Sequence, residues 1–362
     1  MYENFNPELL LLAREYRGYS QSELAERVGI DQGHYSRIER GLLNAPISES
    51  SAQSLARALD FPIAYFHQKD ELSGLPLSVH EPAWRKRASL LASDLRKLRA
   101  ELNLRIMHLR RFMQAIEFAP ERPCPRVDVE EIGGAVRAAA FVRRAWLVPP
   151  GPIRSLTELC ERAGILVIQA RLPAKVDGVT MRLRDVPPII FLNASSPPDR
   201  MRHSLGHELG HLVMHTLPSE TMEEEADTFA GEFLAPIDDL RRDFIGGKVT
   251  LERLVRLKRY WRVSVASLIY RAAKNDYLLR HQAEYLWRKT SSLGWRTGEP
   301  DETQFEKEAT NLYDHIVSLH ENEMRYSATD VGNMLHLSVN DVHLLYGFHN
   351  RGGSRPKLSV VK

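Results

Sequence analysis

Residues 207–211 read His-Glu-Leu-Gly-His, and the run Glu-Glu-Glu-Ala-Asp-Thr-Phe-Ala opens at Glu223, twelve residues further on. This pairing constrains the fold more than any other feature of the chain. Two histidines four apart on a helix share one face, with Cβ atoms about 5–6 Å apart. One Zn2+ can bridge that span with Zn–N bonds of roughly 2.0–2.1 Å. Glu208 then sits beside the metal without ligating it, placed to take a proton from water. Closed structural zinc sites carry four protein ligands and usually include cysteine; here the two cysteines, Cys124 and Cys160, are remote in sequence. The set His207, His211 and Glu223 is therefore of the catalytic type and points to hydrolysis, most simply of a peptide bond.

The same pattern requires a second helix to fold back on the first. Gly210 lets another element approach, and Ala226 and Ala230 keep the facing surface of the second helix small. Asp227, four residues after Glu223, is placed to orient a ligand from behind. Histidines recur at 203, 207, 211 and 215, but only the 207–211 pair encloses a glutamate next to its first member. His203 and His215 read as helix-face residues, His215 being the one able to reach substrate. Glu224 and Glu225 compete with Glu223 by register and read instead as a solvated acidic turn at a helix N-terminus.

At 362 residues the chain suits two or three domains. With 43% hydrophobic and 27% charged residues it is globular rather than disordered. A net charge of +2 selects no partner. Two cysteines are too few for a disulfide framework and fit a reducing cytosol. The opening MYENFNPELL lacks the basic start and apolar core of a signal peptide, and no apolar run approaches the ~18–20 residues that span a bilayer. A cytoplasmic protein without membrane contact is the expectation.

Residues 1–70 read as short helices. Ser20 and Glu23 form a capping box, Gly29 ends that helix, and Asp31 caps the next, Gln32–Arg40, which Gly41 terminates. A helix, a glycine turn and a polar second helix make a helix-turn-helix. Its second helix would present Gln32, Gly33, His34 and Arg37 to base edges in the major groove, with Gln21 reaching phosphate or base. Glutamine can read adenine with two hydrogen bonds. Against this, residues 1–70 hold seven Lys/Arg and ten Asp/Glu, and phosphate neutralisation supplies most DNA affinity. The module alone should bind double-stranded DNA weakly.

Residues 71–149 read as a helical linker. After a break at Gly74, Pro76 and Pro82, the span Trp84–Phe118 is expected as one long helix, with nine Lys/Arg against two Asp/Glu from Trp84 to Gln114. Leu91, Leu95, Leu98, Leu102, Leu109, Phe112 and Ile116 form a heptad-like stripe interrupted at Arg105. The stripe fits a helix packed on its own chain, with a homodimeric coiled coil as the alternative. Pro120, Pro123 and Pro125 end it, and a second break falls at Pro149-Pro150-Gly151-Pro152. Residues 150–280 open with a helix, Ser155–Ala163, and strands Ile165–Gln169, Gly178–Arg184 and Ile189–Asn193, before the histidine helix. An exposed edge of that sheet could grip an extended substrate. Helices follow at Glu223–Leu234, Ile237–Phe244, Thr250–Trp261 and Val265–Lys274. Residues 281–362 read as a helical C-terminal region of no assigned role. Within it, 326–347 could form a second pair of short helices about a turn at His336–Ser338, read as a helical cap ahead of a second helix-turn-helix.

Two resemblances follow from these residues. Gln21-Ser22-Glu23-Leu24-Ala25 with Tyr35-Ser36-Arg37-Ile38-Glu39-Arg40-Gly41 resembles the XRE (Cro/phage-repressor-like) DNA-binding family. His207-Glu208-Leu209-Gly210-His211-Leu212, Glu223 to Ala230 and Phe233-Leu234-Ala235-Pro236 resemble the ImmA/IrrE metallopeptidases over about residues 150–280. Asp227 stands where Asn is frequent in that family, and Ala235 where Met is frequent. The resemblance implies His207, His211 and Glu223 as Zn2+ ligands, Glu208 as general base and a zincin-like domain. The expected fold is mainly α with a small β-sheet, an α+β chain with an all-α N-terminal domain. The expected function is a DNA-binding regulator whose zinc endopeptidase cleaves a regulatory protein, an XRE-type repressor by resemblance. The alternative is a DNA-binding autorepressor or antitoxin that uses the metallopeptidase fold as a sensor or partner-binding domain without turnover.

Overall fold

The capping residues set the helix boundaries. In the computed structural model, which describes residues 5–69, 91–295, 298–300, 303–347 and 359–360, Glu23 N donates to Ser20 Oγ at 3.2 Å and Ser20 N to Glu23 Oε2 at 2.7 Å. That capping box starts α2 (Gln21–Val28) behind α1 (Pro7–Arg17). Gly29 turns the chain at φ 72°, and Asp31 caps α3 (Gln32–Glu39) by accepting from His34 N. Next come α4 (Glu49–Leu59) and a 3-10 turn, Ile63–His67. Leu9, Leu10, Leu24, Tyr35, Leu55, Leu59 and Phe66 are fully buried between them.

The described residues divide into two compact units, one of 5–69, 91–118 and 313–347 with 359–360, the other of 119–312. These units do not coincide with the four segments read from the sequence. The long helix and most of the C-terminal region fall with the helix-turn-helix, and residues 281–312 fall with the histidine helix.

In the first unit α5 (Ala92–Met113) is the long helix. Its expected start at Trp84 and the break at Gly74, Pro76 and Pro82 lie outside the described residues. The coiled-coil alternative is corrected here. Leu98, Leu102, Leu109, Phe112 and Ile116 are buried within one chain, and so are Ala100, Leu104, Ile106 and Met107. Burial this wide exceeds the two positions per heptad of a coiled-coil seam. The stripe is core, packed on α1 and α16 (Ala328–Leu335). Leu91 is exposed ahead of the helix, and Arg105 pairs with Glu101 at 3.1 Å. Phe112 stacks edge-on with Tyr346 of α17 (Val339–Tyr346) at 5.3 Å. β1 (Ile116–Glu117) pairs antiparallel with β5 (Ser359–Val360).

The pair α16/α17 repeats the design of α2/α3. Ser327 and Asp330 form a capping box, eight residues follow, His336 turns the chain at φ 53°, and Ser338 caps a second eight-residue helix. Arg17 of α1 holds Asp341 of α17 at 2.6 Å, just as Arg14 holds Glu39 of α3 at 2.7 Å.

The second unit contains α6 (Val129–Ile132), α7 (Ala135–Ala145), α8 (Leu156–Arg162) and a three-stranded sheet. The strands β2 (Leu166–Ala170), β3 (Gly178–Met181) and β4 (Ile189–Asn193) run in the order β2-β4-β3, with β2 parallel and β3 antiparallel to β4. The sheet supports α9 (Pro198–Met214), which carries the histidines, and α10 (Met222–Leu234) packs along α9. A Cβ on Gly210 would lie 3.3 Å from the Ala226 backbone, so a larger residue would push the two helices apart by a few tenths of an ångström. Helix α7, not expected from the sequence, backs α10, with Arg143 donating to Phe233 O at 2.7 Å. Helices α11 (Ile237–Ile245), α12 (Leu251–Trp261), α13 (Val265–Lys274) and α14 (Arg280–Ser292) follow, while α15 (Leu312–Asn322) belongs, from Tyr313 on, to the first unit. Among the described residues no helix is long and apolar enough to cross a membrane.

Candidate metal centre and recognition surface

Helical spacing places His207 and His211 one turn apart on α9, and α10 returns Glu223 against them. The two Nε2 atoms lie 3.0 Å apart. Glu223 Oε2 is 3.7 Å from His207 Nε2, and its Oε1 is 3.6 Å from His211 Nε2. One donor atom from each of the three residues falls within 4.8 Å of the others. Two imidazoles and one carboxylate converging in this way form a possible metal site, and the donor set suits Zn2+ of the open, catalytic kind. Glu224 is exposed, and Glu225 turns instead to His215 at 3.0 Å.

Both imidazoles are held from behind. His207 Nδ1 lies 2.7 Å from Asp227 Oδ1, and His211 Nδ1 lies 2.9 Å from His215 Nδ1. Burial alone would lower the His207 pKa. The hydrogen bonds to Asp227 and Glu223 and the charge of Glu208 outweigh it and push it up to about 10. His203, also on α9, is pushed down by burial.

Glu208 is 4% exposed and points to the sheet. Thr180 Oγ1 on β3 donates to Glu208 Oε2 at 2.7 Å. A Cβ on Gly178 would meet Glu208 Cγ at 2.8 Å, so a bare backbone is needed for the carboxylate to lie there. Thr180 and Gly178 were not singled out from the sequence, because nothing local ties β3 to α9. Strand β3 is the sheet edge on the Glu208 side, but all four of its residues are buried. The exposed edge expected for gripping substrate is therefore not seen there.

On the helix-turn-helix, Gln32, Gly33 and Arg37 are exposed, and Gln21 and His34 are half-buried. Gln32 Nε2 donates to Gln21 Oε1 at 3.2 Å, and Gln21 Nε2 donates to Glu39 Oε1 at 3.1 Å. Glu39 also accepts from Arg14 Nε and NH2 and from Tyr35 Oη at 2.8 Å. Burial would raise the Glu39 pKa, but the hydrogen bonds from Arg14 and Gln21 outweigh it and hold it below its ordinary value. Gln21 and Gln32 thus rest on a buried, fully engaged carboxylate. Part of the basic charge on α5 is already committed: Arg96 lies 3.7 Å from Glu15, and Arg111 bonds Gln68 and Met334 O.

Comparison with known proteins bears on both regions. Residues 10–66 match the family model for a helix-turn-helix, and residues 160–273 match that of the IrrE N-terminal-like domain. No curated protein matches the chain. The chain therefore joins an XRE-type helix-turn-helix domain to an IrrE N-terminal-like domain, which points to a metallopeptidase family.

Proposed function

We propose that the chain is a DNA-binding regulator with a zinc-dependent endopeptidase that cleaves a regulatory protein. The observation that carries this reading is the convergence of His207 Nε2, His211 Nε2 and Glu223 beside a buried glutamate that ligates nothing in the cluster. His207, His211 and Glu223 would hold Zn2+, with Asp227 orienting His207. A bound Zn2+ supplies a Lewis acid that polarises a peptide carbonyl and lowers the pKa of water. Glu208 accepts the proton of the attacking water and returns it to the leaving amine. Thr180, donating to Glu208 Oε2, holds the carboxylate in place. In the first unit, Gln32, Gly33, His34 and Arg37 face the major groove, and Gln21 braces Gln32.

An XRE-type repressor is the substrate class we favour, and the cytoplasm is the compartment where it meets this chain. The test mixes Zn2+-loaded protein with repressors from neighbouring genes, with and without chelator. Cleavage that chelator abolishes, and that a His207→Ala, His211→Ala double variant lacks, supports the reading. Zinc uptake with no cleavage of any such protein would instead favour a sensor or partner-binding domain without turnover.

A further inference from the structure

His211 turns Nε2 toward His207 and Glu223, which leaves its Nδ1 to be satisfied. That atom lies 2.9 Å from His215 Nδ1. His215 Nε2 in turn lies 3.0 Å from Glu225 Oε2, and Glu225 Oε1 accepts from Thr221 Oγ1 at 3.0 Å. The His215 side chain is only 4% exposed. It stands at the C-cap of α9, with extended backbone, while Glu225 lies in the first turn of α10.

With both rings neutral, these contacts admit one arrangement of protons. An ionised carboxylate only accepts, so the His215 proton sits on Nε2 and faces Glu225. The His215 Nδ1 lone pair must then accept, and the His211 proton sits on Nδ1. The lone pair of His211 is thereby left on Nε2, the atom that faces His207 and Glu223. Asp227 does the same for His207 in one step. For His211 the carboxylate acts at one remove, through a second imidazole.

We infer that His215 and Glu225 are positioning residues that fix the tautomer and orientation of His211 for metal binding. This rests on the metal reading above and assigns His215 a role away from substrate.

The test strips the full chain of metal and titrates it with Zn2+ against a chromophoric chelator. His215→Ala and Glu225→Leu should each weaken Zn2+ binding about 10–100-fold, the range for partners behind a metal ligand. Combined, they should lose no more than the worse single variant, because both act through His211. Asp227→Leu, acting through His207, should add its own loss to either. Glu225→Gln, whose amide oxygen still accepts from His215, should recover most of the affinity. The melting temperature of the metal-free chain should be unchanged in the His215 and Glu225 variants and lower in Asp227→Leu, while the rise produced by Zn2+ shrinks in all of these. Unaltered Zn2+ affinity in Glu225→Leu would overturn the inference. So would a metal-free chain that melts lower by as much as the metal-bound one, which marks a plain staple between α9 and α10. A wild-type chain that takes up no Zn2+ would overturn the metal reading itself, and this inference with it.

Discussion

The metal cluster and the DNA-facing helix are built on the same device and differ in where it points. In each, a working side chain is backed by a carboxylate: Asp227 behind His207, Glu225 behind His215 and His211, Glu39 behind Gln21 and Gln32. In the cluster the backed groups converge on one point, and their residue types and spacing suit the chemistry proposed there. On α3 they diverge toward a surface, and under the proposed DNA reading their residue types would depend on a base sequence outside the molecule. Convergent chemistry is therefore specified by the chain alone, and recognition only as a scaffold.

The largest effect that sharpens this contrast is at Glu208. Glu208→Gln should keep one equivalent of Zn2+ and lower cleavage by about 10²–10⁴-fold, because an amide cannot take the proton. Unchanged turnover with retained metal would place the base elsewhere. Next is the support of the recognition helix. The Arg14 and Glu39 side chains are 8% and 3% exposed, and removing one partner of such a pair costs about 3–5 kcal/mol. Arg14→Met should melt α1–α4 and abolish DNA binding, read by circular dichroism and gel shift. A stable Arg14→Met that still binds DNA would show that the carboxylate behind Gln21 is dispensable.

Smaller effects separate the two helix pairs. Gln32→Ala should cost about 1–3 kcal/mol of discrimination at one base position if it reads a base edge. A change at an exposed residue of α17, His343→Ala, should leave DNA binding unaltered, since residues 313–347 carry one Arg against five Asp/Glu and phosphate contacts need the opposite balance. Equal losses in both would mean that both pairs touch DNA. A further effect is on pH. With its pKa raised to about 10, His207 keeps its proton in the metal-free fold at neutral pH. That protonation stabilises the metal-free fold fully below the ordinary histidine pKa and fades as pH rises through about 10. Metal must displace the proton, so apparent Zn2+ affinity should climb with pH by up to about tenfold per unit. A flat profile between about pH 6 and 8 would show that His207 is already neutral there, against a raised pKa.

Legibility in the sequence followed the range of the interactions. The caps at Ser20 and Asp31 and the spacing of His207, Glu208 and His211 are local, and they are in place in the structure. The stripe on α5 was visible, but Leu98, Leu102 and Phe112 do not name the surface that covers them, and it proved to be the same chain. Helix α7 was hidden between prolines, although Ala138 and Ala139 are the small residues that let it lie close to α10. The relay through His215 joins the end of one helix to the start of the next. Glu225 looked like a spare acid because the contact that engages it exists only after α9 and α10 have met.

The interrupted layout of the first unit has a consequence during synthesis. Residues 119–312 are translated between α5 and the helices that complete its surroundings. At about 5–20 residues per second, that delay is roughly 10–40 s. Until Tyr346 arrives, Phe112 lacks an aromatic neighbour that it has in the finished fold, and α5 carries a partly uncovered apolar face. A ribosome that stalls or terminates within the inserted unit would release a chain with sticky, incomplete N-terminal helices, a natural target for chaperones and proteases.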